Sequence, residues 1–365
     1  MPTKSEILNA LSYVDDPDLK QDLVSLNMIK EIEIDNNNVA FTVELTTPAC
    51  PMKGKIERDC IQAIHDVVSK DLNVTVTFTA SVTSARKQNE AVLTGVKNII
   101  AVASGKGGVG KSTVAVNLAL GLAKKGAKVG LIDADIYGPS IPTMLGLQGE
   151  RPQVVEVNGQ HRMQPLEKYG VKCLSIGFLV DEKQAVVWRG PMVSSALKQF
   201  VTDTEWGELD YLLFDLPPGT GDIHLTLVQT MPVTGAIVIT TPQEVAIADV
   251  KKALAMFQMP NINIPVLGIV ENMAWFTPEE LPKNKYYIFG KEGGLRLAEK
   301  YDLPLLGQIP IVQSIREGGD NGKPAILQEN TPSADAFEVL VETTARHIAI
   351  RNATIDATKR VDIVE

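Results

Sequence analysis

Along the 365-residue chain the spacing of apolar positions changes character once, near residue 98. Before it, VAFTVELTT places Val39, Phe41, Val43 and Leu45 at every second position, and VTVTFTASV alternates in the same way. Successive side chains of a strand point to opposite faces, so this period predicts two strands that each bury one face. Between them PMKGKIERDCIQAIHDVVSK sets Met52, Ile56, Cys60, Ile64 and Val67 at helical spacing, and SEILNALSYV predicts a shorter helix. After residue 98 the apolar runs become continuous: IIAVAS, AKVGLID, VKCLSIGF, DYLLFDL, GAIVITT, VLGIV and LLGQIP. Short runs without alternation predict strands buried on both faces. The intervening STVAVNLALGLAKKG, VSSALKQFV and VAIADVKKALAMF are long enough to cross from one parallel strand to the next. The expected fold is therefore α/β, a mostly parallel sheet with helices on both faces, preceded by a small α/β domain. The expected bounds are 1–84 for the small domain, 85–97 for a polar linker, 98–350 for the large domain and 351–365 for a polar tail.

Composition narrows the function classes. A chain that is 44% apolar can bury two cores of ordinary size. A net charge of -9, with no local run of basic residues, argues against nucleic acid and anionic membrane as partners. No apolar stretch approaches the roughly 20 residues of a membrane span, and MPTKSEILNALSYV is interrupted by polar and acidic residues, unlike a signal peptide. The expected location is the cytoplasm. Cys50, Cys60 and Cys173 are too few and too scattered for a disulfide framework, so their interest is as thiols.

In parallel sheets ligands bind beyond the carboxyl ends of the strands, and the chemistry-bearing residues fall there. GKGGVGKS follows the strand NIIAVAS and opens an Ala/Val/Leu-rich helix, the context of a phosphate-binding loop. Gly105, Gly107, Gly108 and Gly110, with Val109, allow the backbone to turn its N–H groups onto phosphate oxygens at the positive end of the helix dipole. Lys111 is expected to reach the β- and γ-phosphates, Ser112 to hold Mg²⁺, and Thr113 to complete the loop. DYLLFDLPPGTGD ends a strand in Asp215, a second candidate for Mg²⁺, with Gly219 and Gly221 free to respond to the terminal phosphate. An acidic residue that merely caps the following helix is a better description of Asp222. In GLIDADIYGPSIP, Asp133 is a further Mg²⁺ candidate or a plain turn residue. LGIVENMAW brings out Asn272, whose amide offers the donor and acceptor that the adenine edge needs, and no guanine-reading N-K-x-D run occurs.

The second lysine of the loop, Lys106, has no role in that minimal cradle. KGGVGKS resembles the deviant phosphate loop of the MinD, ParA and nitrogenase-iron-protein class of ATPases. That resemblance implies that Lys106 reaches across a homodimer to the partner's nucleotide, as an arginine finger does, and that Asp135 orients the attacking water. VWRGPMV at 187–193, FDLPPGTGD, IVENM and IREGGDNGKPA at 315–325 together look like the Mrp/ApbC iron–sulfur cluster carrier ATPases over about residues 98 to 345. TTPACP at 46–51, after DDPDL, resembles the iron–sulfur assembly domain found ahead of such ATPases. The resemblance implies a cytoplasmic homodimer that uses ATP and Mg²⁺, holds an iron–sulfur cluster, works with cluster assembly proteins and delivers to apo-proteins.

One departure bears on the cluster. Where the resembled family carries a C-P-x-C pair, this chain reads MAWFTPEELPKNKYYIFG, and Glu279 and Glu280 are hard oxygen donors unsuited to a soft cluster. Cys60 lies on the apolar stripe of its helix and Cys173 inside a strand, so both read as core. Cys50 precedes Pro51, a favoured first helical residue, which predicts a sulfur at a helix N-terminus where the thiolate is favoured. Cys50 is the remaining candidate iron–sulfur ligand, and any cluster is expected to be labile. The alternatives are a MinD- or ParA-like positioning ATPase, for which RNATIDATKRVDIVE makes a poor membrane anchor, and an assembly ATPase that holds no cluster itself. A nitrogenase-type reductase would need two cluster cysteines in the ATPase domain, where only Cys173 lies. No physical role is evident for Trp188–Arg189–Gly190–Pro191.

Overall fold

Thr3 opens the first helix with a reciprocal cap, its hydroxyl accepting from the Glu6 N–H while the Glu6 carboxylate takes the Thr3 N–H at 2.8 Å. This is the computed structural model of the chain, which describes residues 2–86, 92–136, 138–157, 159–179, 190–260, 262–278, 280–281 and 283–360. It divides into two units, residues 1–83 with 345–355 and residues 84–344 with 356–365.

In the first unit the strands Ile29–Asp35, Asn38–Leu45 and Asn73–Ala80 form a sheet in that order, the first pair antiparallel and the second parallel. The helices Lys4–Leu11 and Lys53–Val67 contribute Ile7, Leu11, Ile56, Cys60 and Ile64 to one apolar cluster with Val39, Phe41, Val43 and Leu45. The alternating positions of the sequence thus become the buried face of the middle strand. Residues 345–355 belong to this unit through Arg346, whose guanidinium meets the Asp18 carboxylate at 2.5 Å, and Asn352, whose amide donates to the Thr83 carbonyl at 3.0 Å. They form the end of the helix Pro332–Thr354, so the tail expected from residue 351 begins inside a helix, with Arg351 buried.

The second unit is built on an eight-stranded sheet. Its order is Leu166–Lys168, Val171–Ser175, Val129–Asp133, Leu209–Asp215, Val96–Ser104, Gly235–Thr240, Val266–Phe276 and Leu305–Ile311. Every pairing is parallel except the first, a short antiparallel edge absent from the expected elements. Val129–Asp133 and Gly235–Thr240 are buried at every position, which requires cover on both faces and explains their unbroken apolar runs. Lys111–Lys124, Gly190–Thr202 and Glu244–Phe257 are the expected crossover helices. The strand expected after residue 98 starts at Val96, and the Arg86 guanidinium binds the carbonyls of Val92, Leu93 and Val96. Both ends of the supposed linker are therefore tied down. Among the described residues no helix is long and apolar enough to cross a membrane.

Candidate nucleotide site

Strand Val96–Ser104 occupies the middle of the sheet, and its carboxyl end runs straight into the glycine loop. Gly108 and Gly110 take left-handed conformations, φ 80° and 79°, that an L side chain would strain. Space also excludes one: a Cβ on Gly110 would strike the Asn272 amide, and a Cβ on Gly105 the backbone of Asp249 and Val250. The helix Lys111–Lys124 starts with no side-chain cap, leaving its first N–H groups for a ligand. A cavity of about 200 Å³ lies over this end, lined among others by Lys106, Gly107, Lys111, Ser112, Thr113 and Asp135. Ser104, residues 106 to 113 and Asp135 thus meet around one concavity.

Beneath the cavity the register of three strands sets Asp133 beside Asp215 and Ser175 beside Asp133. The Lys111 ammonium pairs with the Asp215 carboxylate at 2.5 Å and lies 3.9 Å from that of Asp135. Burial pushes the Asp215 carboxyl above its ordinary value, although Lys111 and the nearby Ser112 hydroxyl pull it down. Its second oxygen, Oδ2, is buried and has no hydrogen-bond partner. A buried carboxylate oxygen without a donor suits a cation or a cation-bound water, so the donor set of Asp215 and Ser112 fits the Mg²⁺ expected here.

Asp133 is a different case. Its carboxylate accepts from the Ser175 hydroxyl at 2.9 Å and from the N–H groups of Asp135 and Ile141 at 3.2 and 3.4 Å. Burial and the Asp215 charge push its carboxyl well above the usual range. With its oxygens engaged by Ser175, Asp135 and Ile141, Asp133 braces the loop that carries Asp135. The Asn272 amide N–H donates to the Val109 carbonyl at 2.8 Å, which ties the end of its strand to the phosphate loop. Gly221, not Asp222, is the cap residue of the helix Asp222–Thr230. Gly190–Thr202 begins within the Trp188–Pro191 stretch, of which Trp188 and Arg189 lie outside the described residues, as does Glu279; Glu280 is exposed.

Sequence reasoning missed His224. It follows the Gly219–Gly221 turn by one helical turn and is 2% exposed, so that a lone histidine in an apolar run read as nothing. Its only signal was position, three residues past Gly221 in the turn that follows Asp215.

Of the three thiols, Cys50 sits in a different setting from the one expected. The helix after Cys50 begins at Lys53 rather than Pro51. Burial, helped by the charges of Asp18 and Asp16, raises the Cys50 thiol above its ordinary value, although the N–H groups of Met52 and Lys53 act the other way. The favoured thiolate predicted from the sequence is therefore corrected. Cys60 is buried and pushed up to about 12, and burial raises Cys173 well above its ordinary value. Both are core residues.

A glycine loop between the central strand of a parallel sheet and an uncapped helix, with its lysine on a strand-end aspartate, defines a P-loop NTPase. Residues 95–345 match the family model described as NUBPL iron-transfer P-loop NTPase, and residues 4–77 that described as iron-sulfur cluster assembly protein. The chain is 46% identical over 352 residues to the iron-sulfur cluster carrier protein of Synechocystis sp., covering 96% of this chain and 99% of the relative. It is 48% identical over 346 residues to that of Deinococcus radiodurans, covering 94% and 95%. Among solved structures it resembles a nucleotide-binding protein in complex with ADP from Archaeoglobus fulgidus, with 40% identity, a TM-score of 0.56, and 66% of this chain and 91% of that one covered. The chain belongs to the NUBPL iron-transfer P-loop NTPase family.

Proposed function

We propose that this protein binds and hydrolyses Mg-ATP as a cytoplasmic homodimer and uses the cycle to carry or assemble iron–sulfur clusters for apo-proteins, working with the cluster assembly machinery. The observation that carries the reading is the grouping of Lys106, Lys111, Ser112 and Asp135 around one cavity above the buried Asp215, in a chain of the iron-transfer family. The same membership favours it over a positioning ATPase.

Lys111 pairs with Asp215 and stands near Asp135. An incoming triphosphate offers a denser negative charge, so the ammonium transfers to the phosphates and frees the Asp215 carboxylate. Mg²⁺ would be held by Ser112 and Asp215 and would supply charge neutralisation on the phosphate oxygens. Asp135, at the cavity wall, orients the attacking water. Lys106, half-buried in the loop, is the residue for a second copy's nucleotide, which makes turnover depend on dimer closure.

The cluster is cargo, and this chain is poorly equipped to grip it. Among the described residues no group of three or more His, Cys, Asp or Glu could hold a metal ion. Two Cys50 thiols in a dimer supply half of a four-thiolate set, which supports a labile cluster completed by a partner or a small thiol. The raised Cys50 thiol favours a second reading, an assembly ATPase that never holds the cluster. Anaerobic reconstitution with iron and sulfide, followed by transfer to an apo-enzyme, tests both: a transferable cluster supports the carrier, and intact ATPase with no iron bound supports the assembly factor.

A further inference from the structure

The Pro217–Gly221 turn is held at both ends. The Gly219 N–H donates to the carbonyl of Ser104, the last residue before the phosphate loop, at 2.9 Å, and Gly219 has φ 92°, a conformation reserved for glycine. At the other end the Gly221 carbonyl takes the His224 backbone N–H at 3.1 Å and faces its ring Nδ1 at 3.3 Å. A carbonyl can only accept, so Nδ1 carries the proton. The neutral ring then has a bare acceptor at Nε2, which is buried and has no hydrogen-bond partner. Burial, with the Lys111 charge adding to it, lowers the imidazole to about 4, so the ring is neutral at physiological pH. Lys111, the cation facing the phosphates, is also the charge the ring feels.

An unmet buried acceptor costs about 1–3 kcal/mol, so one beside a nucleotide site points to a functional partner such as a water or a donor of the adjoining turn. We propose that His224 is a positioning residue for nucleotide hydrolysis: Nδ1–H grips Gly221, and Nε2 accepts a hydrogen bond from a donor of the turn or a bound water only when a terminal phosphate is present. The ring thereby links the phosphate loop to the Gly219–Gly221 turn without touching the nucleotide. This rests on the ATPase reading above.

Three variants separate the roles. His224→Leu removes both ring contacts, His224→Asn keeps a donor near the Nδ1 position, and His224→Gln places an amide near Nε2. We expect His224→Leu to lower kcat about tenfold or more with KM and analogue affinity within about twofold of wild type, and His224→Asn and His224→Gln each to regain part of the loss. Unchanged kcat in His224→Leu, or a parallel loss of kcat, affinity and melting temperature in all three variants, would overturn the proposal. A readout independent of turnover is the Nε2 nitrogen resonance, assignable among four histidines with the variants. It should move from the bare-acceptor position when a non-hydrolysable ATP analogue and Mg²⁺ are added, and not with ADP. No movement, or the same movement with ADP, refutes the link to the terminal phosphate. A wild-type protein that binds the analogue with this shift yet hydrolyses nothing would instead count against the ATPase reading alone.

Discussion

Lys111 and Asp215, 104 positions apart in sequence, form a 2.5 Å ion pair in which their side chains are 6% and 0% exposed. On the proposed function a triphosphate must take this lysine from Asp215, so binding exchanges one anion for another.

That exchange predicts two effects of Lys111→Ala. ATP binding is lost, measured by calorimetry. The variant measured without nucleotide also loses about 3 kcal/mol in denaturant unfolding, because Asp215 is left buried without its cation. Asp215→Asn in the same background should restore part of that stability, giving a coupling of about 1–3 kcal/mol. Additive losses would show that the pair contributes nothing to stability.

The cavity residues should separate by what they impair. Asp135→Asn is expected to bind Mg-ATP normally and turn over about a hundredfold more slowly, whereas Asp215→Asn weakens the Mg²⁺ dependence of binding. Lys106→Ala should bind ATP as wild type while losing hydrolysis and nucleotide-dependent dimerisation, read from turnover and light scattering. Wild-type turnover in Lys106→Ala would leave that lysine a surface charge.

The Cys50 thiol, raised by burial and by Asp18 and Asp16, should alkylate slowly at neutral pH, with a rate that climbs only above the pH at which a free thiol ionises. The sign follows from a raised value: less thiolate at a given pH. Asp18→Asn should move the rate profile to lower pH. A profile already at its plateau near neutrality would contradict the environment described here.

Iron content tests the cargo site. Reconstituted protein is expected to hold substoichiometric, oxygen-sensitive iron that is lost in Cys50→Ala and unaffected by Glu279→Ala with Glu280→Ala. Stable iron surviving in Cys50→Ala would move the site elsewhere, with Cys173 next, although that thiol is buried in its strand.

The sequence by itself determined the periodicities and the loop. Unbroken apolar runs must be covered on both faces, alternating ones on one face, and four glycines before Lys111 and Ser112 admit one local conformation at a helix start. Those are properties of neighbours in the chain, so they can be read without the fold. What lay far apart was decided only by strand register: Asp133 set beside Asp215, Asn272 brought behind Val109, and Lys111 paired with a buried carboxylate 104 positions away. Burial settled the rest. A carboxyl, a thiol and an imidazole carry the same letter inside or outside, yet desolvation raised Asp133 and Cys50 and lowered His224, because removing water penalises whichever form is charged.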